Sequence, residues 1–380
     1  MKKLFLSAAA LMCGAVLFAQ SNTSYVDQTG NGNGSMVDQV GLMNYSDVDQ
    51  WGNNNDSEVN QDGVTNDSYV EEIGDGNTSV VTQLGDTNES ILWQYGDSND
   101  SFIWQDGVTN DSFVWQDGNG NFSDVNQLGT SNDSYVDQWG TGSDSYVEQD
   151  GTSNESDVYQ GYWYVGVGDH YSEVRQIGDG NYSYVMQDGN RNYSDVDQGG
   201  NNNYQTTNQY GDDNTSRVIQ GFGGDDNFSD VDQTGNNNYS FVDQWGNNND
   251  SDVDQLGDGN SSTVRQGYVG DYNTSTVYQD GNYNSSLVEQ YGDINFSEVL
   301  QYGNDNYSFV GQYGYLNDSY VYQAGNQNTS NLNQTGFEHE SIVIQLNDEN
   351  ISCVNQSGDN QFSFVFQWGN MNNGCVTQSN

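Results

Sequence analysis

The sequence has no proline and almost no positive charge. Proline is common in disordered chains and cannot donate to a sheet ladder, so its absence suits a chain made of strands. Six Lys and Arg residues stand against 55 Asp and Glu, a net charge of −49. That balance excludes nucleic acid as a partner, because phosphate binding needs basic clusters. Histidine is nearly absent, with only His170 and His339. No Ser/His/Asp arrangement follows from two such isolated residues, so an enzyme is not expected.

Long apolar runs are missing except at one place. Lys2 and Lys3 precede an apolar stretch over 4–18, which ends at Ala19-Gln20. This pattern predicts a secretory signal peptide over 1–19, with a single repeat domain over 20–380. Met12 is not the small residue that precedes a lipidated cysteine, which argues against lipidation at Cys13. The stretch is short for a membrane span, and no other segment could make one. Without the signal, the basic residues are Arg175, Arg191, Arg217 and Arg265.

Hydrophobic content is low at 32%, which with this charge would ordinarily argue disorder. Periodicity overrules that reading. Residues 55–63 read N-D-S-E-V-N-Q-D-G, 66–74 read N-D-S-Y-V-E-E-I-G, and 77–85 read N-T-S-V-V-T-Q-L-G. The unit N-x-S-x-V-x-Q-x-G-x-x recurs every 11 residues through 32 copies. A fixed short period dictates a stacked architecture and no closed globular core.

Within a unit Asn, Ser, Val and Gln occupy alternate positions, as in Asn22, Ser24, Val26 and Gln28. Alternation places all four on one strand face. The Val slot departs only at Leu92, Ile103, Thr207 and Leu332, the Ser slot only at Gln205 and Gly374, and the Gln slot only at Glu72. The positions between vary freely, so the constrained face should point inward. Gly and Asn tolerate the positive φ that the intervening turn needs. The prediction is all-β: a β-solenoid of about 16 two-strand rungs, 22 residues each, in two parallel in-register sheets resembling cross-β structure.

One buried Val per strand contributes only about 1.5–3 kcal/mol. Side-chain ladders must supply the rest, and an unpaired buried amide would cost about 1–3 kcal/mol, which accounts for the uniform Asn, Ser and Gln slots. Representative ladder candidates are Asn66, Ser68, Val70, Gln83, Gly85, Ser134, Val136 and Gln138. The histidines fill the Asn slot and read as structural substitutions.

The 22-residue rung pairs outward residues two units apart. It sets Arg175 between Glu148 and Asp197, and Arg265 between Asp243 and Glu289; Arg217 follows Asp195. It stacks Trp93 on Trp115 and forms an apolar column of Tyr278, Leu300, Tyr322, Ile344 and Phe366. Acid columns such as Asp27, Asp49 and Glu71 should repel by about 1 kcal/mol per pair. No cofactor is expected. The calcium-binding nonapeptide has a period of nine, not eleven, so only diffuse cation binding along the Asp columns is anticipated.

Cys353 and Cys375 lie one rung apart in the slot after Ser. Stacking brings them within disulfide range, so either a bridge staples the last two rungs or two surface thiols remain. Insertions at 161–168, 221–226 and 267–271 begin with Gly after Gln and should bulge from turns. Tyr162, Trp163 and Tyr164 would form an exposed sticky patch.

The half-unit Gln28-x-Gly30-x-x-Asn33-x-Ser35-x3-Gln39 resembles the curlin repeat, S-x5-Q-x-G-x-x-N-x-(S/A)-x3-Q. The resemblance runs from Asn22 to Gln378, with more copies than familiar members carry and a compressed first half. It implies a secreted subunit that self-assembles into extracellular, cell-surface curli-like amyloid fibres serving biofilm matrix and adhesion. The implied partners are further copies of the chain, a nucleator subunit and an outer-membrane secretion channel reached through the periplasm. The alternative is a non-polymerising β-solenoid adhesin or surface-binding protein. A final unit that departs little from the repeat, with no distinct capping segment, favours polymerisation.

Overall fold

The computed structural model describes residues 21–161, 168–221, 224–267 and 270–380. The expected signal peptide and the Tyr162–Trp163–Tyr164 patch lie outside the described residues. Thirty-two strands follow one another, from β1 (Thr23–Asn31) and β2 (Gly34–Leu42) to β31 (Phe362–Trp368) and β32 (Asn373–Ser379). Odd strands form one 16-stranded sheet and even strands the other. Among the described residues all strand pairings are parallel and in register. β1 meets β3 (Tyr45–Asn53) with Ser24 on Ser46, Val26 on Val48 and Gln28 on Gln50. Each rung is therefore one odd and one even strand, as the 22-residue spacing predicts. Sixteen rungs at ~4.8 Å make a rod of about 77 Å.

The alternation decides what is buried. In β11 (Asp133–Thr141), Ser134, Val136 and Gln138 are fully buried. The valine column forms two apolar clusters, from Val48 to Val196 and from Val218 to Val365. They part at β17 (Tyr204–Asp212), where Thr207 replaces Val and Gln205 replaces Ser. The two exceptions compensate each other. Ser183 donates to Gln205 at 3.0 Å, Gln205 Nε2 donates to Thr207, and Thr207 lies 3.3 Å from Ser216 of the facing sheet.

The turns differ from expectation in one respect. The ladder Asn does not take positive φ; the residue before it does. Met43, Thr65, Tyr283 and Ile294 all sit at φ +55 to +58. A left-handed residue costs about 1–2 kcal/mol. The Asn side chain is instead spent on hydrogen bonds between rungs. Glycine takes the expected positive φ and is required for a second reason as well. At Gly85 (φ +101) a Cβ would stand 2.2 Å from the Gly107 carbonyl oxygen one rung away. The insertions leave the stack undisturbed: Gln149 still bonds Gln176, and Gln209 still bonds Gln233, across longer sequence separations.

Candidate functional site

The interior is built from two kinds of amide ladder. Asn66 takes its place by donating its backbone N–H to Asn44 Oδ1 at 3.0 Å. Its own Oδ1 accepts from Asn88 N at 3.0 Å, and its Nδ2 donates to the Gly85 carbonyl at 2.8 Å. Gln83 accepts from Gln61 at 2.8 Å and donates to Gln105 at 2.9 Å and to the Asp67 carbonyl at 2.8 Å. Gln138 links Gln116 to Gln160 in the same way. Val70 and Val136 are wholly buried between these ladders.

The serines depart from the expected role. The hydroxyls of Ser68 and Ser134 are buried and have no hydrogen-bond partner. Their slot faces the Val slot of the other sheet, as the Thr207–Ser216 contact shows, so it is small size that closes the two sheets together. The histidines use a ring nitrogen where Asn uses its carbonyl. His170 Nδ1 accepts from Asn192 N at 3.4 Å, and His339 Nδ1 from Gln361 N at 3.3 Å. Burial pulls His170 down to about 4, so it stays neutral as this acceptor role requires.

A further ladder runs along the turns. Where the next rung carries Asn or Asp, the residue after the turn glycine donates its N–H to that side chain: Asn53 N to Asp75 at 2.7 Å, Asp75 N to Asp97 at 2.8 Å, and Asp97 N to Asn119 at 2.8 Å. The Asn/Asp enrichment of that slot was the signal for it. Arg191 and Asp213, both in left-handed turn positions, form a bidentate pair at 2.7 Å. Their 22-residue spacing could have revealed the pair.

On the outer faces, Arg175 lies 3.7 Å from Glu148 and 3.6 Å from Asp197. Arg217 meets Asp195 at 3.0 Å and its guanidinium lies 5.9 Å from the Phe241 ring centre. Arg265 pairs with Glu289 at 3.0 Å; Asp243, on its other side, accepts from Trp245 Nε1 at 2.6 Å. These exposed pairs contribute little each, about 0–1 kcal/mol. Unneutralised acids dominate elsewhere. Burial, followed by the fields of Asp254, Asp230, Asp232 and Asp250, pushes Asp252 up to about 6. Burial and the neighbouring Asp47 and Asp27 also raise Asp49.

Aromatic stacks run along the odd sheet. Trp93 and Trp115 meet edge-on at 5.6 Å, and Phe113, Tyr135, Tyr159 and Tyr184 follow at 4.9–5.5 Å. Tyr278, Leu300, Tyr322, Ile344 and Phe366 occupy one column, rung above rung. They are half-buried except Phe366, which is exposed. On the even sheet, Cys353 of β30 (Ile351–Asp359) faces Cys375 of β32, with Cα atoms 4.5 Å apart and sulfurs at bonding distance.

Among the described residues, β1, β2, β31 and β32 have a strand partner on one side only. At these ends the constrained face is uncovered on β1 but stays buried on β31, where Val365 is 8% exposed. Val26 is 48% exposed, against 0% for Val48 one rung in. Aromatic and sulfur side chains also stand open there, among them Tyr25, Met36, Phe364 and Trp368. Among the described residues no group of three or more His, Cys, Asp or Glu is placed to hold a metal ion, and no helix is long and apolar enough to cross a membrane.

The family model for the Curlin associated repeat matches residues 52–85, 74–107, 173–200, 224–257, 246–281, 270–303, 284–314 and 303–336, together more than half of the chain. The chain belongs to the curlin-repeat family. The first match spans β4 (Asp56–Val64), β5 (Asp67–Ile73) and most of β6 (Thr78–Asp86), so the curlin unit of similarity exceeds one rung. Curlin repeats mark extracellular structural proteins of the curli type, the broad class of this chain. No curated protein matches it significantly.

Proposed function

We propose that this chain is a secreted subunit that polymerises end to end into curli-like amyloid fibres of a biofilm matrix. The observation that carries the reading is the match between the two rod ends. Strands with unpaired edges template further strands. Setting β1 of a second copy beyond β31, in the register every internal pair keeps, places Ser24 on Ser363, Val26 on Val365, Gln28 on Gln367 and Gly30 on Gly369. Setting β2 beyond β32 places Val37 on Val376 and Gln39 on Gln378. The glutamine ladders of both sheets and the valine column then continue through the joint. Adhesion, a nucleator and an outer-membrane secretion channel rest on the family and complete the proposal.

Purified residues 20–380 carrying Val26→Asp test it. This variant should form no fibres alone, and at a low ratio to wild type it should shorten fibres seen by electron microscopy. Fibres of normal length from Val26→Asp alone would overturn the joint.

A further inference from the structure

The glutamine ladder of the even sheet runs unbroken from Gln39 to Gln378, each Nε2 donating to the Oε1 one rung on. The odd sheet runs likewise from Gln94 to Gln367. It has one gap. Gln28 donates to Gln50, and Gln50 donates to Glu72 Oε2 at 2.7 Å, but Glu72 has no amide to pass on. Two buried oxygens lack a well-formed hydrogen bond there: Gln94 Oε1, and Glu72 Oε1, whose carboxyl only the Ser79 hydroxyl also approaches. Each is an acceptor, and what the pair lacks is one hydrogen.

We infer that Glu72 is a proton-operated link: in the closed rod its carboxyl takes a proton from solvent onto Oε1, and that O–H donates to Gln94 Oε1. Loss of the proton leaves a fully buried carboxylate facing an acceptor and opens the odd ladder between β5 and β7 (Glu89–Tyr95). The first two and a half rungs are then joined to the rest by one complete side-chain ladder fewer.

The surroundings supply no positive charge to replace the proton. Gln50 of β3 and Gln94 of β7 flank Glu72 in its own sheet, and Ser79 of β6 lies near it from the facing sheet. Asp56, at the start of β4, is the charged group whose field reaches it from there, and it also disfavours the anion. Asp47 and Asp49 on β3, Glu71 on β5 and Glu89 on β7 lie at outward-facing positions. Burial is the main influence and raises Glu72 to about 7, against the weaker opposing pull of Ser79 and Gln50. The link therefore closes in mild acid and opens above neutrality. It belongs to the single rod and holds whether or not rods join.

Glu72→Gln tests it, since Gln is the residue the slot carries everywhere else and should fold. Wild-type protection factors for amide exchange in β1, β3 and β5 should fall by about two orders of magnitude between pH 5 and pH 8. Glu72→Gln should remove most of that fall and leave the response of the C-terminal rungs unchanged. Isotope-edited infrared difference spectra should show a protonated-carboxyl band at pH 6 in wild type that the variant lacks. An unchanged pH response in Glu72→Gln, or a wild-type gap closed by added sodium or potassium at constant pH, would overturn the proton link.

Discussion

Replacing Gln127 with leucine asks whether amides or valines hold the rod together. Gln127 lies in β10 (Phe122–Thr130), mid-rod in the even sheet. Its Nε2 donates to Gln149 Oε1 at 2.9 Å, to the Asp111 carbonyl at 2.7 Å and to the Asn132 carbonyl at 3.1 Å. Its Oε1 accepts from Gln105 at 2.9 Å. Some of the neighbours keep other partners. Asn132 O still accepts from Asp111 N, and Gln105 Nε2 still reaches the Glu89 and Asn110 carbonyls. Gln149 Oε1 is the group left stranded, at about 1–3 kcal/mol, and the other lost bonds add roughly 1–2 kcal/mol. The extra apolar burial of leucine returns about 1 kcal/mol. The expected loss is about 1–4 kcal/mol. The adjacent Val125→Ala should cost about 2–3 kcal/mol, so a polar-to-apolar change should be about as damaging as a cavity. Stability in a solenoid is local, so the assay is amide exchange in β10 and its neighbours β8 (Asp100–Val108) and β12 (Asp144–Thr152). Protection should drop by roughly 5- to 1,000-fold. A leucine variant that exchanges no faster than wild type, beside a weakened Val125→Ala, would refute the ladder argument.

Three further outcomes are expected. Raised carboxyl values mean the folded rod binds protons more tightly than the unfolded chain. Burial first, with like charges or weak opposing hydrogen bonds beside it, lifts Asp111, Asp137, Asp157 and Asp252 from 3.8 to about 6. Their contribution is fully present below about pH 4 and lost as pH rises through about 6, so denaturant midpoints should fall across that window; a rise would contradict the assignment. Reduction of the Cys353–Cys375 link should fray β32, with a local loss of about 3 kcal/mol for a loop of this length; complete alkylation by mass spectrometry without reductant would contradict the bridge. Leu300→Asp with Ile344→Asp should reduce lateral bundling of fibres in electron micrographs while leaving single fibres intact, and unchanged bundles would remove the apolar column as a packing face.

Most of the architecture was legible because an 11-residue period leaves few choices. Alternation at Ser134, Val136 and Gln138 assigns the inner face, and the spacing of Glu148, Arg175 and Asp197 assigns the register. What period alone hid was the use each slot is put to. Serine and glutamine are equally invariant, yet the glutamines pair up the stack and the Ser68 hydroxyl bonds to nothing. Turn Gly and ladder Asn look alike as turn formers, but only the Gly takes positive φ; the other positive-φ residue is the variable one before Asn, while Asn spends its side chain on bonds between rungs. Glu72 was visible as the single exception in its slot. Its meaning required the two facing oxygens, which only the stacked geometry places together. Gln205 and Thr207 likewise read as two separate irregularities until their side chains were seen to bond each other.

The central claim is that the rod continues across molecules in the register it keeps within one. Fibre diffraction with electron microscopy on purified residues 20–380, at neutral and mildly acidic pH, tests it most directly. The account predicts unbranched fibres with a meridional reflection at ~4.7–4.8 Å and faster growth in acid. A stable, soluble, β-rich monomer that never elongates at either pH would keep the solenoid and contradict the fibre.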